Sequence, residues 1–271
     1  MWTALYNISS GTKNICFGNL AGGALTTGGE NIFFGDSSGA AAQTSSNNIG
    51  IGNESLLSTT SGTQNISIGY QSLYGNVTGS NNIAFGVQSF QYDSVNNCIG
   101  IGTETGTNTI TDNHIFIGKQ AGEVSVGADI GGEIIGNNIF IGTEAGKNNT
   151  SGTNNIFVGN QAGDNNTTGI NNVVIGSNTM INGSAAVSNV VVMGFEAGQN
   201  NQADDSILIG SEAGKGVTTG DQNVMIGRKA GVNTSTGRGN IYFGAESGET
   251  NVEGSYNIGI GFQALNKFDK D

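Results

Sequence analysis

The chain has 271 residues, of which 47 are Gly and none is Pro, and only 11% are charged, so neither a Pro-rich linker nor a charged disordered tail accounts for its composition. Its formal charge of −12 comes from acidic residues scattered along the sequence, and its nine Lys and Arg form no patch. Phosphate binding needs clustered cations, which excludes nucleic acid as a partner, and no run approaches the roughly 18 apolar residues of a membrane span, which excludes membrane insertion.

The first residues, MWTALYNISSG, lack the basic-then-apolar order of a signal peptide. From there a five-residue motif recurs 15 times: Asn in most copies, then Ile or Val, a variable residue, a large apolar residue and Gly. The closing glycines are Gly18, Gly35, Gly52, Gly69, Gly86, Gly102 and Gly118, then Gly142, Gly159, Gly176, Gly194, Gly210, Gly227, Gly244 and Gly261. Their spacing is 17 with single-residue slips, apart from one step of 24 between Gly118 and Gly142. One repeat array therefore covers residues 2–265, with an insertion around 119–137 and a tail at 266–271.

Within each unit the second and fourth motif positions, such as Ile15/Phe17, Ile83/Phe85 and Val224/Ile226, are always apolar, and an i, i+2 pair shares one face of a strand. They are expected to fill the inside of a coil. The following Gly can take positive φ and bend the chain. Three residues later stands Ala, Ser or Thr, as at Ala21, Ser72, Ala162 and Ala264, and then Gly or a large apolar residue, as at Gly146 or Leu73. Polar turn segments such as Thr26–Gly29, Asn76–Gly79 and Asn166–Gly169 close the unit. The pattern predicts an all-β fold, a parallel β-solenoid or β-roll of about fifteen coils, each with two short strands and two Gly turns. At roughly 4.8 Å per rung the array would be about 70 Å long. Asn14, Asn31, Asn48, Asn65 and Asn82 are expected to stack as an amide ladder, and a Pro would delete a ladder bond.

If the second and fourth positions point inward, the third points outward. It reads Cys16, Phe33, Gly50, Ser67, Ala84, Gly100, Phe116, Phe140, Phe157, Val174, Val192, Leu208, Met225, Tyr242 and Gly259, with no charged member. Monomers rarely leave such a strip exposed. Phe33, Phe116, Phe140, Phe157, Val174, Val192, Leu208, Met225 and Tyr242 are therefore expected to form an inter-chain contact, most economically in a parallel homotrimer.

Few residues suggest chemistry. His114, the single His, stands in the Asn column and reads as a ladder substitution. Cys16 and Cys98 lie five rungs apart, too far for a disulfide, and read as buried thiols. Gly100, Gly102 and Gly106 only imitate a dinucleotide fingerprint, and the segments before Lys147 and Lys215 only imitate a phosphate loop. The calcium-binding nonapeptide is absent, so no metal or cofactor is expected. Glu54, Gln71, Gln88, Glu104, Gln120, Glu144 and Gln161 form a polar column read as a solvated ladder, and sequons such as Asn76 and Asn149 follow from composition. The insertion offers Asp129, Ile130, Glu133, Ile134 and Ile135 as a possible receptor contact.

Units such as Ser67–Gly86 and Phe140–Gly159 resemble the Gly/Asn/Thr-rich repeats of phage tail fibres and related bacterial surface proteins, and more loosely the head repeats of trimeric autotransporter adhesins. The resemblance implies trimeric, left-handed parallel β-roll coils serving as a shaft or receptor-binding surface. The expected protein is a non-enzymatic, extracellular fibre or adhesin of a virion or cell surface, binding itself and a host-cell or surface receptor, with glycans among the candidates. The alternatives are a monomeric solenoid that binds ice or a polymer surface, and a tailspike-type glycan-degrading enzyme, which would need an Asp/Glu pair in a groove.

Overall fold

The computed structural model describes residues 4–92, 94–109, 111–124, 128–130, 133–182 and 186–266. The remaining residues, among them Trp2 and 267–271 of the tail, lie outside the described residues. Every regular element is a strand of three residues, and among the described residues there is no helix.

Two compact units divide the chain, Met1–Asn137 and Asn138–Asp271. The first carries β1 (Ile15–Phe17), β2 (Ile32–Phe34), β3 (Ile49–Ile51), β4 (Ile66–Ile68), β5 (Ile83–Phe85), β6 (Ile99–Ile101) and β7 (Ile115–Ile117), followed by β8 (Ala128–Ile130) and β9 (Glu133–Ile135). The second carries β10 (Ile139–Ile141), β11 (Ile156–Val158), β12 (Val173–Ile175), β13 (Val191–Met193), β14 (Ile207–Ile209), β15 (Val224–Ile226), β16 (Ile241–Phe243) and β17 (Ile258–Ile260). In each unit successive strands pair in parallel, like position on like, so that Phe140 lies over Phe157 and Phe157 over Val174. This is the β-solenoid expected from the sequence, one rung per repeat.

Each coil has one strand rather than the expected two, because the rest of the path is left-handed turn. Glu54, Leu56 and Gln64 adopt φ of 56°, 54° and 60°, and the same three places recur along the chain. A left-handed non-Gly residue costs roughly 1–2 kcal/mol. Stacking offsets that cost, since each such amide bonds to a neighbouring coil: Glu54 N–H donates to the Asp36 carbonyl at 2.9 Å and Leu56 N–H to that of Ser72 at 3.1 Å. The closing glycines take φ near 140°, and a Cβ on Gly159 would lie 2.3 Å from the Gly176 carbonyl oxygen. Only Gly lets these bends stack.

The Asn column forms the expected ladder. Asn48 donates its backbone N–H and its Nδ2 to Asn31 Oδ1 at 3.0 and 3.2 Å, and Nδ2 also donates to the Gly62 carbonyl at 2.9 Å. Asn65 repeats the pattern on Asn48 at 2.9 and 3.0 Å. Two acceptor and two donor sites per amide are thereby used, which makes these buried side chains affordable.

The inside and outside of the strand are reversed relative to the sequence expectation. The third-position residues Phe33, Phe116, Phe140, Phe157, Val174, Val192, Leu208, Met225 and Tyr242 are all buried, at 0–1% exposure, inside the coil of their own chain. They are core residues and do not form an inter-chain strip. The second and fourth positions face outward: Ile15 is 63% exposed, Phe34 52% and Phe243 54%. The alternation along the strand is the expected one, with the inward and outward faces exchanged. The chain after each strand curls toward the face of the middle residue, and a 17-residue coil is too narrow to enclose both flanking side chains as well.

Candidate interaction surface

The outward face of each unit is ruled by two apolar rows. The second-position row is Ile or Val in all 15 units, and the fourth-position row is Ile, Val, Phe or Met. Side chains in the middle of a unit are shielded by the rungs above and below, yet Ile101, Ile156, Ile207 and Ile241 remain exposed. At the start of the first unit Phe17 and Phe34 stack with ring centroids 4.9 Å apart and planes 13° from parallel. With about 4.8 Å between rungs and roughly 7 Å between the rows, the footprint is about 230–270 Å² in each unit. The patch is of ordinary size, a few hundred Å², and is distinguished by its regularity, since it is apolar at every rung.

The insertion forms a ribbon of its own. β8 and β9 pair antiparallel, Ala128 with Ile135, Asp129 with Ile134 and Ile130 with Glu133. The backbone thus brings Asp129, Ile130, Glu133, Ile134 and Ile135 together on one two-stranded element, separate from the parallel ladder.

The polar column after each bend is the solvated ladder expected of it. Gln71 Nε2 donates to Glu54 Oε2 at 2.7 Å, Gln161 to Glu144 at 2.8 Å and Gln263 to Glu246 at 2.8 Å. These bonds place an amide donor where two stacked carboxylates would repel. The bond from Gln263, followed by that from Arg228, holds the Glu246 carboxyl below its usual range. Burial, with the Glu144 charge second, pushes Asp164 up. The exposed pair Lys13–Glu30, 2.7 Å apart, raises Lys13 and lowers Glu30.

His114 continues the ladder column as a buried ring, with Nε2 paired to Thr111 Oγ1 and its face on Phe116 at 4.7 Å. A Cβ on Gly136 would strike the imidazole, so the residue after β9 must be Gly. Cys98, also in the Asn column, is buried with its thiol donating to the Asn96 carbonyl at 3.3 Å, and burial pushes that thiol up to about 12. Cys16, half-buried at the third position, is pushed up to about 11 by burial. Neither thiol has the electropositive setting that makes a nucleophile. A hollow of about 320 Å³ beside Cys16 is lined by Ala4, Phe17 and Gly18 as well. No group of three His, Cys, Asp or Glu that could hold a metal occurs among the described residues, and no helix of these residues is long and apolar enough to cross a membrane. Asn76 and Asn149 of the sequons are buried, their amides donating to the carbonyls of Gly79 and Asn166 at 3.0 Å.

The residues that sequence reasoning placed inside are therefore the exposed surface. A signal for this was present. In most units a large third position is followed six residues later by Gly, as in Phe33/Gly39 and Leu208/Gly214, and a small one by a large residue, as in Gly50/Leu56 and Ala84/Phe90; Gly100/Gly106 and Val174/Met180 depart from this. Such compensation marks two positions sharing one interior space. Comparison of the chain with protein-family models and with curated proteins finds no match.

Proposed function

We propose that the chain is a non-enzymatic segment of an extracellular attachment fibre or adhesin, of the phage tail-fibre or bacterial surface kind, built from three copies of itself. The observation that carries this reading is the pair of apolar rows on the outside of a coil already complete within one chain. Solvent-facing rows of a freestanding solenoid have no need to be apolar at every rung, whereas a shaft of several chains needs a long, regular contact. Hydrogen bonds join each described rung to its neighbours within a unit, which supplies the stiffness a shaft requires. The β8–β9 ribbon interrupts the repeat and is the proposed contact for a host-cell or surface receptor, with glycans as the first class to try.

Light scattering on the intact protein should return three chain masses. Labelled protein should attach to at least one member of a panel of bacterial and animal cells, and deletion of residues 125–135 should abolish that attachment. A monomer that attaches to no cell, or a protein that shortens polysaccharides in solution, would overturn the reading. A monomer that arrests ice growth would put a surface-binding solenoid in its place.

A further inference from the structure

We propose that the turn segments after β4 and β5, which carry Tyr70, Tyr74 and Tyr92, form a binding site for an uncharged saccharide. The site is made of turn residues, apart from the strands that carry the apolar rows and from the β8–β9 ribbon. It does not rest on the fibre reading, since a single chain supplies all of it.

Three of the chain's six Tyr lie between positions 70 and 92. The backbone stacks the two segments that hold them: Gln88 N–H donates to the Tyr70 carbonyl at 2.9 Å, and Gly75 N–H to the Gln91 carbonyl at 2.7 Å. Tyr70 is 46% exposed and Tyr92 56%, with Tyr74 half-buried. Gly75 occupies the place of Tyr92 on the rung before, where a Cβ would lie 2.4 Å from the Tyr92 carbonyl oxygen, so no side chain stacks on Tyr92 from that side. The fold itself does not call for these rings. Beside the matching Glu144–Gln161 bond, the same three places are Thr143, Lys147 and Asn148 in one coil and Asn160, Asp164 and Asn165 in the next.

The rings stand among polar arms that are already fixed. Gln91, only 4% exposed, donates Nε2 to Gln71 Oε1 at 2.7 Å, and Gln88 Nε2 reaches the same oxygen at 3.3 Å. Gln71 Nε2 in turn donates to Glu54 Oε2 at 2.7 Å. A pyranose has an apolar C–H face and a rim of hydroxyls that both donate and accept. Aromatic faces suit the first, and amides and a carboxylate held in position suit the second. No Lys or Arg occurs between Gly52 and Gly102, so an acidic sugar would meet the Glu54 carboxylate with no cation to offset the repulsion. The chemistry therefore selects a neutral sugar. An open platform holds it weakly, as a contact additional to the ribbon's.

The test uses the labelled full chain on an array of immobilised neutral, sialylated and sulfated glycans, whose density compensates for weak single-site binding. At least one neutral glycan should retain the protein, and the same glycan free in solution should compete. Tyr70→Ala and Tyr92→Ala should each weaken retention at least about tenfold with an unchanged circular dichroism spectrum, while Tyr70→Phe and Tyr92→Phe, which keep the ring face, should hold most of it. Saturation-transfer NMR on the wild-type protein, irradiating aromatic protons, should mark the C–H face of the bound sugar, and the mark should vanish when the tyrosines carry ring deuterium. That readout stands even where an Ala variant fails to fold. Retention by no neutral glycan, or by acidic glycans alone, would overturn the proposal, as would retention that survives both Ala changes in folded protein. Retention lost on deletion of residues 125–135 but indifferent to Tyr70 and Tyr92 would put the sugar at the ribbon and sink this site alone. A wild-type monomer that binds through Tyr70 and Tyr92 would remove the three-chain reading and leave this site standing.

Discussion

Gly146 lies so close to Phe140, six residues earlier on the same coil, that a Cβ on it would stand 2.5 Å from Cε2 of the ring. The ring fills the space a side chain at 146 would occupy. The reverse arrangement exists in the first unit, where Leu56 fills the room left by Gly50. In these coils the interior thus holds one large side chain at this level, supplied from either of two positions; the coil of Val174 is filled from both, by Val174 and Met180. At Gly100 and Gly106 neither position supplies one, and Phe90 and Phe116 of the flanking rungs close the gap with centroids 6.0 Å apart.

This relationship predicts a double-mutant result. Phe140→Gly should cost about 3–5 kcal/mol through loss of a core ring, and Gly146→Leu should cost about 1–3 kcal/mol through overpacking. Both changes together recreate the Gly50/Leu56 pattern and should be less damaging than the sum by at least about 1 kcal/mol. Denaturant unfolding of the four proteins measures the coupling; simple additivity would count against a shared interior site.

The glycine stack should be sensitive to position. Gly159→Ala forces a methyl onto the Gly176 carbonyl and an L side chain into φ of 140°, so the midpoint of unfolding should fall steeply. Gly261→Ala meets nothing within 4 Å, and there the backbone strain at φ of 120° acts alone. A smaller loss of thermal stability at 261 than at 159 is expected.

Breaking the amide ladder should be costly wherever a rung follows. Asn155→Ala removes the acceptor used by the Asn172 backbone N–H at 3.1 Å and by its Nδ2 at 3.0 Å. Leaving buried donors unpaired costs about 1–3 kcal/mol each. Asn257→Ala, at the half-buried last rung described, should cost less. Hydrogen exchange at the Asn172 amide provides a local check, with loss of protection expected in the first variant.

The thiols give the protein an alkaline limit. Their ordinary value of 9.0 is raised by burial to about 11 at Cys16 and about 12 at Cys98. A raised folded-state value means that the fold favours the protonated thiol. That contribution is whole below pH 9 and is lost as pH rises from 9 toward 12. Burial pushes the Tyr242 phenol in the same direction. The guanidinium midpoint should fall between pH 9 and 11, and less steeply in Cys98→Ser; a slope identical to wild type would show that Cys98 has no part in it.

Phe157→Glu separates the two assignments of the strand faces. Phe157 is 0% exposed and stacked on Phe140 with centroids 4.9 Å apart, so a carboxylate there enters the coil's own core and should prevent cooperative folding. Persistence of the folded spectrum with only the mass reduced would restore the third position as an inter-chain contact.

The sequence by itself determined the repeat length, the one-rung-per-unit stacking, the amide ladder and the place of the glycine bends. Each is a local property repeated in register, so a single unit such as Asn138–Gly142 already contains it. It also determined that Ile139 and Ile141 share one face and Phe140 takes the other, because side-chain parity is fixed by the strand. Which face is inside was decided only by the tertiary path. That depends on the direction in which left-handed Glu144 and Gly146 turn the chain after Gly142, and on how little space the closed coil leaves. Both faces of the strand are apolar, one for the chain's own core and one for an outer surface, and hydrophobicity read residue by residue cannot tell them apart. The compensating Phe140/Gly146 and Gly50/Leu56 pairs can, because only side chains sharing one enclosed volume need to trade size.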